Sequence, residues 1–444
     1  MKLIYNVKDK PKFGQVIVFA IQQLLAILAA TIAVPAIIGN GMSQSAALFG
    51  AGAGTIVYLL FTKFQSPVFL GSSFAFLGSM ATAFAGAASA SAGYMGILLG
   101  AVFAGLVYVV IALIVKIAGV GWINKLMPPV VIGPTVAIIG LSLAGNAIGD
   151  TVGVAKEGSS FVMNAHAGAC IVCGLVTLFV TMLCSVFGKK MLKMIPFIIG
   201  IVAGYCVATI FTLIGNSVGN DALKIIDFSA FSNLQWIPDF TFVTAFKGVS
   251  EIDGAYIGTI AVAYIPVAFV VFAEHIADHK NISSIIETDL LEQPGLHRTL
   301  LGDGVGSMVG AFFGGCPNTT YGESIGCVAI SGNASIVTIF TTAILAIIAS
   351  FFAPFVAFLS TIPSCVMGGV CIALYGFIAV SGLKMVQGVD LNQNKNLFVV
   401  SAILIAGIGG MALTFGKITI TSIACALILG IIVNLVLSRK KDEE

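Results

Sequence analysis

Charge is scarce in these 444 residues: Asp, Glu, Lys and Arg together make up 9%, against roughly 25% in an ordinary soluble chain. That scarcity excludes a water-soluble globular domain. Histidine is nearly absent as well, with four in all, so a His-rich metal centre is not expected. The nine cysteines are odd in number and mostly stand inside apolar runs, where they read as small packing residues. Cys170-x-x-Cys173 has no second pair at ligand spacing, so neither a metal nor any other cofactor is expected. A net charge of +2 gives no electrostatic reason to bind nucleic acid. Without a metal-ligand His pair or a convincing nucleophile–base pair, an enzyme is not expected either.

What fills the chain instead is apolar: 58% of residues, at a mean hydropathy of +1.08. At about 20 residues per crossing, this composition describes a multi-pass membrane protein with room for roughly 12 to 14 spans. Apolar runs bounded by charge or turn residues predict fourteen. The first seven are Gln15–Ile38, Ser45–Thr62, a broken Pro67–Phe84, Tyr94–Ile117, Ile123–Leu143, Ala167–Phe187 and Ile195–Leu213. After a long stretch come Ala255–Ile276, Leu300–Phe313, a broken Asn318–Ile330, Ile336–Leu359, Ile362–Met385, Leu397–Leu413 and Ile420–Leu437. Met1–Lys12 is basic and polar, with no cleavable leader evident. With both termini in the cytoplasm, only Lys156, Lys224, Lys247 and Lys417 face outward, and the other seventeen Lys and Arg face inward. That is the positive-inside asymmetry of a cytoplasmic-membrane protein, and a miscount by one span would scramble it. Two outer connections are long, Gly149–Ala165 and Gly215–Gly254. The second carries Trp236 and spaced apolar residues, a pattern that suits helices lying in the interface or a surface hairpin.

Two matches relate the halves. The fifth span opens Met127-Pro128-Pro129-Val130-Val131-Ile132-Gly133, and the twelfth Ile362-Pro363-Ser364-Cys365-Val366-Met367-Gly368. The third span contains Gly71-Ser72-Ser73-Phe74-Ala75-Phe76, and the tenth Asn318-Thr319-Thr320-Tyr321-Gly322-Glu323. Each pair is seven spans apart, and seven is odd, so the halves run in opposite senses. The expected fold is therefore an all-α polytopic membrane protein of fourteen segments in two inverted seven-span repeats. Interrupted spans at matching positions of inverted halves point to a transporter's binding site. In each, β-prone residues precede a helical run, so short antiparallel strands in spans 3 and 10 are expected to pair near the midplane. The half-helices would then bring their unpaired N–H groups to one spot.

Of nineteen acidic residues, few fall within or beside spans: Glu274, Asp278, Asp303 and Glu323. Glu274 and Asp278 are four apart and share a helix face. Asp303, among Gly302, Gly304 and Gly306, reads as a packing or backbone-bonding group. Glu323 follows a helix break, and an intramembrane carboxylate is by default a functional-site hypothesis. Gln22 and Gln23 are the polar residues of the first span, with Ala29-Ala30-Thr31 two turns on. Tyr375 interrupts an apolar helix and needs a partner for its hydroxyl, for which Glu323 is a candidate. Carboxylates accept N–H bonds while half-helix amides donate to carbonyls, so a flat solute with alternating N–H and C=O edges satisfies both. Phe74 and Tyr321 are placed to pack on its faces. Protonation of a buried carboxylate would couple proton flux to loading.

These residues resemble the nucleobase–ascorbate (nucleobase–cation symport-2) family, and within it the bacterial uracil permeases. The resemblance rests on Gln22-Gln23, Ala29-Ala30-Thr31, Val34-Pro35, Leu70-Gly71-Ser72-Ser73-Phe74-Ala75-Phe76 and Ala273-Glu274-His275-Ile276. It continues through Pro294-Gly295-Leu296-His297-Arg298, Pro317-Asn318-Thr319-Thr320-Tyr321-Gly322-Glu323-Ser324-Ile325-Gly326, Val366-Met367-Gly368-Gly369 and Leu374-Tyr375-Gly376. It implies a dimeric proton–uracil symporter in membrane lipid. Its core domain would comprise residues 1–118 and 255–360, and its gate domain residues 119–214 and 361–444, the latter ending in a cytoplasmic tail. Residues 215–254 would form an extracellular amphipathic connection. The resemblance further implies that Glu274 and Glu323 hold the ring edge with backbone groups at Phe74 and Gly322, that Tyr321 and Ala30 line the pocket, and that Tyr375 reaches Glu323. Two positions depart from the family pattern: Gln23 and Asp278 stand where relatives carry histidines. Gln23 can hydrogen-bond but cannot titrate, which leaves protons or sodium open as coupling ion. A xanthine or urate carrier, and an anion exchanger or channel of the same plan, are the alternatives.

Overall fold

The computed structural model describes residues 3–119, 121–122, 127–157, 160–189, 191–232, 234–415 and 418–438. The start of the expected fifth span, the tail beyond residue 438, and Lys2, Lys125, Lys190, Lys417, Arg439, Lys440 and Lys441 lie outside them. Helices dominate. The first part contains α1 (Phe13–Ile38), α2 (Gln44–Phe61), strand β1 (Leu70–Ser72), α3 (Leu77–Ala85) and α4 (Ala90–Ala118). Then come α5 (Pro129–Ser142), α6 (Ala144–Val152), a hairpin of β2 (Lys156–Glu157) and β3 (Ser160–Phe161), α7 (Ala165–Phe187), α8 (Met191–Met194) and α9 (Pro196–Val218). Past α10 (Thr241–Ala245), the second part contains α11 (Gly254–Ile286), α12 (Leu296–Gly314), strand β4 (Asn318–Thr320), α13 (Gly322–Ser331), α14 (Ile336–Ser350) and α15 (Ala353–Ser360). It closes with α16 (Ser364–Gln387), α17 (Asn394–Ile408), a hairpin of β5 (Leu413–Phe415) and β6 (Ile418–Ile420), and α18 (Ser422–Ser438).

Among the described residues, eight helices are long and apolar enough to cross a membrane, and up to nine if a bent pair counts as one. That pair, α14 and α15, bends by 81°, where the sequence predicts one continuous span. The break falls at Phe351 and Phe352, and Pro354 occupies the first turn of α15, where a missing N–H costs nothing. The 215–254 connection folds into short turns of 3-10 helix plus α10 rather than a hairpin.

Each expected broken span proves to be a strand followed by a short helix. β1 pairs antiparallel with β4 in the register Leu70↔Thr320, Gly71↔Thr319, Ser72↔Asn318. All six residues are buried, so the ladder gives backbone groups partners that lipid could not supply. Thr55 Oγ1 and Asn318 Nδ2 extend it: the Leu70 N–H donates to Thr55 Oγ1 at 2.9 Å, and Asn318 Nδ2 donates to the Gly50 carbonyl at 3.1 Å.

Small residues bring α2 and α12 together around this ladder. A Cβ on Gly50 would sit 2.5 Å from the Gly310 carbonyl oxygen, and one on Gly54 2.7 Å from that of Gly306. Without hydrophobic drive between helices in lipid, such backbone proximity is what holds them. α12 also packs on α4, α14 on α2 and α1, and α11 on α4. A second set is built around α16, which packs on α5, α6 and α7, with α9 on α7 and α17 on α5 and α18.

Candidate functional site

A cavity of about 310 Å³ lies between these two sets of helices, and Glu274, Asp278 and Glu323 all line it. Glu274 and Asp278 face it from α11, as their spacing of four predicts. α13 contributes Gly322, Glu323, Gly326, Cys327 and Ile330, one face of a helix at i, i+1, i+4, i+5 and i+8. Across from them stand Phe197 of α9 and Phe377 of α16, with Lys193 of α8 also in the wall.

The start of α13 explains why Glu323 is where it is. Tyr321 is its N-cap, in extended conformation and with no side-chain cap, so the first-turn amides at Gly322 and Glu323 have no carbonyl of a preceding helical turn to bond. The adjoining Ser324 is held from two sides: Gln23 Nε2 donates to its hydroxyl at 2.6 Å and to its carbonyl at 3.2 Å, and the Phe69 N–H donates to its hydroxyl at 3.1 Å. Gln23 therefore anchors the half-helix from α1. On the ladder, the Thr320 hydroxyl donates to Asp278 Oδ2 at 2.7 Å, which ties the second α11 carboxylate to β4.

The remaining expected residues stand elsewhere. Tyr321 lies across the Gly71 backbone, and its hydroxyl donates to the Ser72 carbonyl at 2.7 Å. It is buried, as is Ala30 on α1, and neither is among the residues lining the 310 Å³ cavity. Phe74 lines a separate cavity of about 200 Å³ with Ser79, Ser142 and Thr421. Its ring meets that of Tyr375 edge-on at 5.7 Å. The buried Tyr375 hydroxyl makes no hydrogen bond to Glu323.

Asp303 is more than a packing residue. Asp303 is wholly buried, and its Oδ2 lies 2.7 Å from His275 Nδ1, whose Nε2 is 3.0 Å from Thr299 Oγ1. One turn on, His279 Nδ1 donates to the His275 carbonyl at 2.8 Å, and its Nε2 lies 2.7 Å from the Tyr58 hydroxyl, itself 2.6 Å from Ser66 Oγ. α11 thus carries two polar faces: Glu274 and Asp278 toward the cavity, His275 and His279 toward α12 and α2. The i, i+4 spacing of the two histidines was the signal available in the sequence.

No group of three or more His, Cys, Asp or Glu suited to a metal ion occurs among the described residues. Carboxylates beside the N-terminal end of α13 offer acceptors and donors in one small chamber, the requirement for holding a neutral solute whose edge carries both.

The chain is 39% identical to a uracil permease of Bacillus caldolyticus, over 98% of this chain and 95% of that one. It is 37% identical to a uracil permease of Bacillus subtilis, over 100% and 97%, and 34% identical to one of Escherichia coli, over 97% and 93%. In fold it is similar to the transmembrane domain of the cyanobacterial bicarbonate transporter BicA, with a TM-score of 0.65 at 16% identity over 97% of this chain and 99% of that one. The murine Solute Carrier 26 family member A9 anion transporter gives a TM-score of 0.66 at 11% identity, over 97% of this chain and 69% of that one. The model of the Permease family matches residues 14–416. With nearly its whole length matched, the chain belongs to the Permease family and is a multi-pass membrane transporter rather than an enzyme.

Proposed function

We propose that this permease carries uracil across the cytoplasmic membrane together with protons, by alternating access in which one set of helices slides past the other. The observation that carries the reading is the convergence of Glu274, Asp278, Glu323 and the Gly322 end of α13 on one cavity. Glu274 and Glu323 accept the ring N–H groups, and first-turn amides at Gly322 donate to a ring carbonyl. The relatives named uracil permeases, matched over almost the full chain, support that solute. Proton coupling follows from Glu323, whose charge must be neutralised to leave water with a neutral solute beside it.

The moving body is the set containing α1, α2, α4 and α11–α14, and the framework is the set built on α5, α7, α9 and α16–α18. These correspond to a core of residues 1–118 and 255–360 and a gate of residues 119–214 and 361–444. Fourteen crossings in two inverted sevens would account for the paired strand-then-helix elements, and for Pro128 and Pro363 both serving as extended N-caps of packed helices. With both termini cytoplasmic, the mouth beside Lys193 and Met385 is the inward one, and Phe74 against Tyr375 closes the outward path. Tyr321 and Ala30 back the site, Gln23 and Asp278 fix its carboxylate-bearing elements, and Tyr375 meets Glu323 at another stage of the cycle. The protein works as a homodimer, joined through apolar surface such as that left exposed on α7 and α9.

Fold likeness to anion transporters favours an anion exchanger as a second reading, but three carboxylates in the cavity wall oppose it. Xanthine or urate would compete for the same groups. Labelled-uracil uptake into proteoliposomes, with proton and sodium gradients imposed separately, tests the proposal. Accumulation driven by protons and resisted by excess unlabelled uracil but not xanthine is expected; indifference to the proton gradient refutes the coupling.

A further inference from the structure

α13 supplies five lining residues of the cavity, yet it is only ten residues long. Helices that short are marginal unless packing fixes them. Its N-terminal end is fixed by β4 and by Ser324. Its C-terminal end is fixed by something the sequence concealed. The helix stops at Gly332, which adopts φ +66 and donates its N–H to the Val328 carbonyl at 3.0 Å, a left-handed cap for which glycine is suited.

The N-terminal segment then lies alongside. The Ile4 and Tyr5 amides donate to the Gly332 carbonyl at 2.7 and 3.1 Å. In return the Ala334 amide donates to the Tyr5 carbonyl at 2.9 Å and the Ile336 amide to the Val7 carbonyl at 3.0 Å. The Ser335 hydroxyl reaches the Asp9 carbonyl at 2.7 Å. Exposure alternates along this segment as in a strand: Leu3 and Val7 pack on the core, while Ile4 between them is 64% exposed. The Tyr5 hydroxyl donates to Gln15 Oε1 at 2.9 Å, and its ring meets Phe19 at 6.2 Å, so the same segment is pinned to the start of α1.

We propose that residues 3–9 are a positioning strap for the substrate half-helix, holding the C-terminal end of α13 so that Gly322 and Glu323 keep their place in the cavity wall. This rests on the function proposed above for that cavity. The strap binds both α1 and the 332–336 connection, which makes it part of the solute-carrying body rather than a lid over it. Loosening it lets α13 fray, and affinity falls in proportion to the fraction of molecules with the helix in place.

The test uses the full-length permease in detergent or nanodiscs, with residues 3–9 deleted, and separately with Ile4→Pro, which removes one amide donor while its side chain stays exposed. Ile4→Val keeps that donor and serves as the conservative control. Hydrogen exchange along the whole chain, residues 322–336 included, and uracil titration are measured together. Expected are faster exchange confined to 322–336 and a uracil affinity lower by about tenfold in the deletion, a smaller loss of both in Ile4→Pro, and no change in Ile4→Val. Unchanged exchange in the deletion overturns the strap. So does faster exchange with undiminished affinity, or faster exchange spread evenly over all helices. Should the unaltered protein not bind uracil, the functional reading fails while the exchange measurement still judges the strap.

Discussion

Gly71→Ala probes the crossing of the two broken spans directly. A Cβ at Gly71 would stand 2.9 Å from Cδ2 of Tyr321 and closer still to Cε2 and Cζ. To regain the ~3.5 Å that carbon atoms prefer, the ring must retreat by roughly 1 Å. Its hydroxyl is bonded to the Ser72 carbonyl at 2.7 Å, so the same displacement breaks that bond. Overpacking costs about 1–3 kcal/mol and the lost hydrogen bond about 1 kcal/mol more. Tyr321 is also the N-cap of α13, so the penalty falls on the arrangement that places Gly322 and Glu323. At about 1.4 kcal/mol per decade, the lower bound of about 2 kcal/mol weakens uracil binding by roughly thirtyfold. Gly78→Ala is the matched control, because a Cβ there meets no atom within 4 Å. Titration of both variants with uracil, alongside their melting temperatures, decides the matter. If Gly71→Ala binds uracil and melts like Gly78→Ala, the strand crossing does not position the site.

Other perturbations separate the roles of individual groups. Gly326→Ala, whose new methyl meets nothing within 4 Å and points to a lined cavity, should keep its melting temperature but lose uracil affinity by crowding; equal loss of both would show a packing role instead. Glu274→Gln removes the charged acceptor proposed for ring N–H groups, a bond worth about 1.5–3 kcal/mol, so uracil affinity should fall by tenfold or more; calorimetry showing unchanged affinity would remove Glu274 from the site. Glu323→Gln should retain some binding but lose the dependence of uptake on pH, read in proteoliposomes with and without an imposed proton gradient. Thr320→Val leaves Asp278 without its hydroxyl donor at 2.7 Å and should weaken binding less than Glu274→Gln in the same titration.

Much of the site could be read from residue order, because local chemistry and fold agreed there. Pro317-Asn318-Thr319-Thr320 and the Pro67–Phe76 run favour extended backbone over helix, so the two strands and the half-helices after them follow from residue order. Glu274 and Asp278 were legible for the same reason: a period of four on an apolar helix has one geometric outcome. Other features depended on partners far away in the chain. Asp303 looked like a packing residue because its neighbours are glycines, and only the approach of α11 supplies His275. Tyr321 was expected on the face of the solute, but the absence of a side chain at Gly71 gave its ring a backbone to cover. The alternation of Leu3, Tyr5 and Val7 was hidden by the lysines around it. Five of the expected spans, the first, second, sixth, twelfth and fourteenth, match helices to within two residues at each end, whereas α14 and α15 part at a Phe-Phe pair that hydropathy alone cannot distinguish from continuous helix.

The ladder between β1 and β4 joins Leu70 to Thr320, 250 positions further along the chain (320 − 70). During synthesis the earlier strand therefore emerges long before its mate exists, carrying amides and carbonyls that a bilayer cannot satisfy. The nascent first half must be sheltered, by the insertion machinery or by water, until the second half arrives. Truncated chains ending before residue 318 should then be substrates for membrane quality control, and the two halves, if expressed as separate polypeptides, should each be rapidly degraded unless they are made together.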